Sequence, residues 1–344
     1  MFKKILFLAY LLGFSSFLFA GGHEKEEHSG EEFNARETII HHILDAHEWH
    51  LWDYKDDDGM LHPVSIPLPI ILFTNGNLDV FMSSAFHHGE SSVTKGDREY
   101  VMDHNHIVEK SGLSVLDFSL TKNAASIVIA ALILFFLFRS AAKKYKNGNL
   151  QPSGIAGFME PLIVFVKEDI AIPNLGEKNY KRFLPYLLTL FFFIWFINLL
   201  GLIPFFPGGA NVTGNIAVTL VLAVFTMILV NVNGNKGYWK HVFAPPGVPL
   251  WMYPIMIPVE LVGIISKPFA LMVRLFANIT AGHIVILSLI SLIFIFKSVF
   301  AGFAAVPMAL FISVLELLVA ALQAYIFTLL TALFIGLAVQ EEHH

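Results

Sequence analysis

Residues 254–296 read PIMIPVELVGIISKPFALMVRLFANITAGHIVILSLISLIFIF, and residues 300–339 read FAGFAAVPMALFISVLELLVAALQAYIFTLLTALFIGLAV. Neither run contains a polar turn. A bilayer's hydrocarbon is ~30 Å thick and is crossed by a helix of about 20 residues. At 1.5 Å per residue, the first run alone would extend to roughly 64 Å. Two ordinary spans within each run would need a loop that is not there. The reading is therefore two very long, strongly tilted helices, with the break Lys297-Ser298 as a tight turn between them and Pro268 as a kink.

Three shorter apolar stretches lie upstream. Asn123–Phe138, extended back to Leu120 to reach spanning length, is followed by Arg139, Lys143, Lys144 and Lys146. Positive charge collects on the cytoplasmic side, so this helix runs inward. Phe183–Phe206 returns outward, and the uncharged turn Gly208-Gly209-Ala210-Asn211 follows it. Ile216–Val232 leads back inside to Lys236 and Lys240. Ile155–Val166 is apolar but short, and reads as an interfacial helix in an inner loop. The expected fold class is an all-α integral membrane protein. It has five crossings, the last two forming the long tilted antiparallel hairpin, and a small outer N-terminal segment. The N-terminus is expected outside and Glu341-Glu342-His343-His344 in the cytoplasm.

Composition agrees. Hydrophobic residues make up 56% of the 344 and charged residues 14%, with a mean hydropathy of +0.65. A soluble domain carries about 25% charged residues. The net charge of −5, without a basic block, excludes a nucleic-acid binder. The absence of cysteine excludes disulfides, thiolate metal centres and a cysteine nucleophile. No cofactor is expected, and no Gly-rich phosphate loop occurs.

Lys3 and Lys4 precede the apolar run Ile5–Ala20, the pattern of a secretory signal. Residues 1–20 read as a signal peptide, although Leu18 fits the cleavage site poorly and an uncleaved anchor is the alternative. Either delivers residues 21–119 to the periplasmic side, and residues 120–344 form the membrane domain. The outer segment holds eleven of the fifteen histidines. Ile39–Trp52 is expected as a short amphipathic helix, and Pro67–Phe73 and Asp79–Phe86 as a pair of short strands. On such a helix His47 and His50 share a face, which makes them a weak zinc candidate. The plainer reading is a solvated histidine-rich segment with no metal.

Ionisable groups inside a membrane segment are costly and usually functional. The two long runs contain Glu260, Lys267, Arg274, His283 and Glu316, with the amides Asn278 and Gln323. Arg274 is a permanent charge. At the inner end of an apolar stretch it can simply snorkel, but its face is small and polar: Lys267, Ala270, Arg274, Ala277, Asn278 and Ala281 recur at steps of three and four. Small residues let another helix come close. In an antiparallel pair turning near residue 299, Arg274 falls opposite Gln323 and His283 opposite Glu316. A buried His–Glu pair can take up and release protons, or serve only as a static bond that locks the hairpin. A fixed guanidinium cannot relay protons; it can attract a partner's carboxylate and bar leakage.

The string Ser266-Lys267-Pro268-Phe269-Ala270-Leu271-Met272-Val273-Arg274-Leu275-Phe276-Ala277-Asn278-Ile279-Thr280-Ala281-Gly282-His283 closely resembles a signature of subunit a of F-type ATP synthase. Leu322-Gln323-Ala324-Tyr325-Ile326-Phe327, the ending Glu341-Glu342-His343 and Asn198-Leu199-Leu200-Gly201-Leu202-Ile203-Pro204 resemble it too. The resemblance covers roughly residues 120–344. It implies a non-catalytic stator of the bacterial inner membrane, working beside a ring of c subunits and b-type peripheral-stalk subunits, in contact with lipid and carrying protons. Two half-channels would be separated by Arg274, with Asn278 and Gln323 beside it. Many members carry glutamate at the position of His283 and histidine at that of Glu316, so the exchange here preserves the pair. The long outer segment resembles that of some Bacteroidetes-type members. Asn215, His241 and Glu260 are candidates for lining, Asn215 and His241 near opposite surfaces and Glu260 on the inner path.

Two other functional classes fit parts of the sequence. A secondary transporter would use the same ionisable residues, but that class shows paired repeats, and none is evident. A metal-handling outer domain on a membrane anchor would be indifferent to Arg274.

Overall fold

The structure is a computed structural model. It describes residues 35–55, 61–89, 91–103, 106–146, 154–203, 205–244 and 249–340. The expected signal peptide, the acidic run at 56–58 and the C-terminal residues 341–344 lie outside these.

Among the described residues the N-terminal part begins with α1 (Ala35–Ile43) and continues as eight strands: β1 (Glu48–Lys55), β2 (Leu61–Pro67), β3 (Pro69–Thr74), β4 (Asn77–Met82), β5 (Val93–Lys95), β6 (Arg98–Asp103), β7 (His106–Glu109) and β8 (Val115–Asp117). All-α therefore describes the membrane part alone. The strands form three small antiparallel sheets, β1-β2, β4-β3-β8 and β5-β6-β7. The expected strand pair is present as β3 and β4, slightly shorter than drawn, with the stretch from Ser83 to Gly89 coiled as a 3₁₀ turn. Asn75 (φ 49) and Gly76 (φ 81) make the hairpin turn, which needs positive φ at both positions and so selects Asn-Gly.

The expected helix over Ile39–Trp52 is corrected: the helix stops at Ile43, and β1 begins at Glu48. Asp45 accepts the backbone N–H groups of Ala46 and Asn123, which turns the chain out of the helix. From there the burial alternates, with Trp49 buried, His50 exposed, Leu51 half-buried and Trp52 exposed. That is the period of a strand.

Five helical stretches are long and apolar enough to cross a membrane: Lys122–Tyr145, Ile155–Leu202, Ile216–Asn233, Tyr253–Phe296 and Val299–Val339. They contain α2 (Lys122–Lys146), α3 (Ile155–Phe165), α4 (Ile172–Leu202), α5 (Ile216–Asn233), α7 (Tyr253–Phe296) and α8 (Val299–Val339); the short α6 (Lys236–Phe243) joins α5 to α7. The expected interfacial helix is not separate. A π-helical turn, Val166–Ala171, carries α3 into α4, and Val166, Ile170 and Ala171 are fully buried. Apolar residues on the inner face of this turn pull it into the core. Pro173 is accommodated at the helix start, where a missing N–H costs nothing. The interruption comes at Gly176 (φ 73), a conformation that favours glycine.

The long hairpin is as expected. α7 has 44 residues and α8 has 41, about 66 and 62 Å at 1.5 Å per residue. Lys297 turns in the left-handed region (φ 45, ψ 34), and Ser298 starts α8. The membrane core joins Leu187, Phe192 and Ile194 of α4 to Leu271 and Leu275 of α7 and to Phe327 and Ile335 of α8. A second cluster, including Trp49, Leu68, Ala125, Ile197 and Leu200, ties the outer sheets to α2 and α4.

Candidate functional site

The hairpin brings His283 and Glu316 together. His283 Nδ1 lies 2.5 Å from Glu316 Oε1, with 14% of the histidine side chain and 3% of the glutamate side chain exposed. Glycine makes the fit possible, because a Cβ at Gly282 would lie 2.7 Å from Glu316 Oε1 and 2.9 Å from its Cδ. Glu316 Oε2 and Thr280 Oγ1 are buried without a hydrogen-bond partner among the described residues. Buried polar atoms demand hydrogen bonds, so water or a transient proton carrier must serve them. The other ring nitrogen, His283 Nε2, faces α4: it lies 3.9 Å from the place of a Gly201 Cβ. One turn earlier Asn198 is buried, and its Oδ1 accepts the Thr213 hydroxyl at 2.6 Å. The Nδ2 atoms of Asn198 and Asn211 have no hydrogen-bond partner among the described residues.

Arg274 stands apart from this pair. No hydrogen bond or ion pair joins it to Gln323 among the described residues, so the second facing pair expected from the sequence is not a bonded one. Gln323 is 2% exposed, inside the bundle. Arg274 is exposed, and so are Lys267, Ala270, Ala277, Asn278 and Ala281. The small polar stripe anticipated from its spacing is exposed along its length among the described residues. Lys267 Nζ sits 5.7 Å from the centre of the Phe334 ring.

The remaining candidates divide. Asn215 is the N-cap of α5, its Oδ1 accepting the Ala217 N–H at 2.9 Å, so its carbonyl oxygen serves the helix end. Glu260 is half-buried on α7 and close enough to Tyr238 of α6 that burial first, and then the Glu260 charge, raise the Tyr238 phenol above its ordinary value. The Tyr238 hydroxyl donates to Asn231 Oδ1 at 2.9 Å. His241, one turn further along α6, is exposed. His47 and His50 do not share a helical face: His50 lies in β1, and His47 just before it. His47 Nε2 bonds Asp117 Oδ2 at 3.0 Å. Among the described residues no cluster of three metal-ligating side chains occurs. Burial alone would raise the Asp117 carboxyl, but the bonds from His47 and from the Ser119 hydroxyl and N–H hold it at about 2.

Gly201 and Gly282 flank His283 and Glu316, Asn198 and Thr213 bond to each other one turn of α4 away, and none of these, nor Asn211 or Thr280, was singled out as a site residue by sequence reasoning. A signal existed for Asn198 and Gly201, which lie one turn apart in the motif quoted above. For Asn211 and Thr213, in a loop, there was none.

Residues 124–336 match the family described as ATP synthase A chain. This chain belongs to the ATP synthase A chain family. Residues 38–126 match a family described only as a domain of unknown function. The chain is 45% identical over 274 residues to "ATP synthase subunit a" of Chlorobium phaeobacteroides strain BS1, covering 75% of this chain and 79% of that one. It is 50% identical over 236 residues to "ATP synthase subunit a 2" of Prosthecochloris aestuarii, covering 66% and 71%. A relative from Chloroherpeton thalassium, "ATP synthase subunit a", is 48% identical over 235 residues, 66% of this chain and 69% of that one. As a member of the A chain family the protein is a multi-pass membrane protein, and its family match spans the helices that hold Arg274, His283, Glu316 and Gln323.

Proposed function

We propose that this chain is the proton-translocating stator subunit of an F-type ATP synthase, providing two half-channels to a c-ring and coupling proton flow to ring rotation and ATP synthesis. The observation that carries the reading is the exposed stripe of Lys267, Ala270, Arg274, Ala277, Asn278 and Ala281. An uncovered arginine among alanines on a tilted helix is a docking face for another helix. Its charge calls for a carboxylate on that helix, as a ring of c subunits would bring.

Arg274 acts as the barrier between the half-channels. It holds the passing ring carboxylate ionised and cannot itself pass a proton. His283 and Glu316 serve the outer half-channel, handing protons toward the ring. Asn278 and Gln323 flank the barrier. Glu260, with Tyr238 and Asn231, serves the inner path, and His241 lies near its mouth. The chain sits in the bacterial inner membrane with its N-terminus periplasmic and its C-terminus cytoplasmic, after removal of residues 1–20. It is held by b-type stalk subunits and contributes no catalytic site of its own.

The test is ATP-driven proton pumping in vesicles carrying Arg274→Ala. Pumping is expected to vanish while the complex stays assembled and its ATP hydrolysis persists. Coupled pumping retained at the parent rate would sink the assignment.

A further inference from the structure

The outer domain and the membrane helices enclose a cavity of about 350 Å³. Its walls carry His47, His50, His88 and Glu48, with Lys122 at the start of α2. Its floor is the glycine strap Gly208-Gly209, which links α4 to α5. The outer domain is fastened to this strap: the Trp49 indole N–H donates to the Gly208 carbonyl at 3.1 Å, and the Trp49 ring meets Phe206 edge-on at 5.2 Å.

The strap rests on the last turn of α4, where the Gly209 N–H donates to the Leu200 carbonyl at 3.2 Å. Gly208 and Gly209 bring no side chains. The next carbonyl, that of Ala210, lies 3.1 Å from the place of a Gly201 Cβ, and His283 Nε2 lies 3.9 Å from the same point. The last turn of α4, ending at Leu200 and Ile203, therefore lies between the cavity floor and the ring nitrogen that Glu316 leaves unused, and Gly201 is where that turn bares its face to His283. Asn198, one turn before Gly201, and Asn211, next to Ala210, each have a buried Nδ2 without a hydrogen-bond partner among the described residues. Polar atoms in that state require hydration, and hydration is what proton transfer uses.

The two ends of the gap are chemically alike. His283 is backed by Glu316 at 2.5 Å and His47 by Asp117 at 3.0 Å. In each case the carboxylate takes one ring nitrogen and leaves the other. On His47 that other atom, Nδ1, has no hydrogen-bond partner among the described residues. His88 is paired with Glu48 at 2.9 Å, and Asp45 lies near enough to act on the charge of Lys122.

We propose that the outer domain roofs a proton-collecting chamber whose floor opens onto His283 through the gap framed by Gly201 and Ala210. The proposal rests on the stator reading above. Imidazoles exchange protons near neutral pH, so the chamber walls carry donors beside the intake. The proton arrives at His283 Nε2 while Nδ1 remains with Glu316, and it leaves toward the ring carboxylate.

The chain contains no cysteine, so a single introduced thiol reports one place. In the intact ATP synthase, Met102→Cys puts a thiol on the chamber wall and Leu78→Cys puts one on the exposed far sheet. Each purified complex is labelled with trimethylammonium-ethyl methanethiosulfonate, the adduct is verified by mass, and proton-driven ATP synthesis is measured after reconstitution. Labelled Met102→Cys is expected to run at least about fivefold slower than the same variant unlabelled, with recovery after reduction; labelled Leu78→Cys is expected to keep its rate. An adduct at Met102→Cys without loss of rate overturns the chamber, as does failure of the reagent to reach it. Phe205→Cys, on the membrane side of the cavity, serves if Met102→Cys does not assemble. Arg274→Ala is read in parallel: its loss of coupling together with an unaffected labelled chamber refutes this proposal alone, whereas its retained coupling refutes the stator reading.

Discussion

His283 and Glu316, 33 residues apart in sequence, meet within 2.5 Å because the chain turns almost midway between them. The left-handed Lys297 fixes that turn, so the spacing of two residues along two helices becomes a single buried acid–base pair. A pair made this way depends on both partners, on their packing and on the turn.

The pair itself is tested by exchange. A hydrogen bond to a charged group contributes about 1.5–3 kcal/mol, and each ~1.4 kcal/mol is tenfold in rate. His283→Ala and Glu316→Ala are each expected to slow proton-driven ATP synthesis by about tenfold or more. The double exchange His283→Glu with Glu316→His is expected to retain more activity than either alanine variant. Equal loss in the exchange and the singles would argue that the two act separately.

A side chain at Gly282 is expected to push the Glu316 carboxylate away from His283. A Cβ there lies 2.7 Å from Glu316 Oε1, inside contact distance, so Gly282→Ala must displace the carboxylate. Proton-driven synthesis should fall about as far as in Glu316→Ala, with the complex assembled. Shortening the opposing side chain by Glu316→Asp in the Gly282→Ala background should restore part of it. No recovery in the double variant would place the defect elsewhere.

In the outer domain, Asp117 supplies a pH signature. Its carboxyl is held at about 2, below its ordinary 3.8. A depressed acid stabilises the fold above its unfolded value and loses that contribution as pH falls through the folded one. The protection factors of the β8 amides should therefore hold steady down to about pH 4 and fall as the pH drops further toward 2. In Asp117→Asn the protection factors should be lower at neutral pH and nearly flat over that acid range. An unchanged acid profile in Asp117→Asn would count against this bond as the cause.

Trp49 should hold the outer domain to the helices. Trp49→Ala removes a side chain that is 3% exposed and strands the Gly208 carbonyl. Removing a buried tryptophan costs about 3–5 kcal/mol. Limited proteolysis should then cut between Asp117 and Lys122 much faster than in the parent. Unchanged resistance would show that the remaining contacts suffice.

Much of the membrane part was legible in the sequence. Apolar length is nearly sufficient evidence for a span, and the absence of a polar turn was enough to make the hairpin long. The Arg274 stripe was legible for a related reason: steps of three and four define a helix face whatever surrounds it, and that face is the uncovered one. Facing positions across the hairpin were legible only to within a residue or two. That sufficed for His283 with Glu316, but it joined Arg274 to Gln323, which point to different sides. The outer part was legible least. Short strands are set by partners distant in sequence, and the run from Ile39 to Trp52 satisfies a helical pattern locally while its second half is claimed by β2.

By itself the sequence determined how many long apolar helices there are, where the hairpin turns, and which ionisable groups lie within it, because these follow from length, apolarity and helical period along one segment. Only the tertiary structure decided that Gly201 and Gly282 flank the histidine, that Asn198 and Thr213 bond to each other one turn of α4 away, that Asn215 caps a helix, and that Trp49 fastens the outer sheets to the Gly208 strap. Each of these is a contact between segments far apart in the chain, where the fit of one surface against another, rather than any local preference, selects the neighbour.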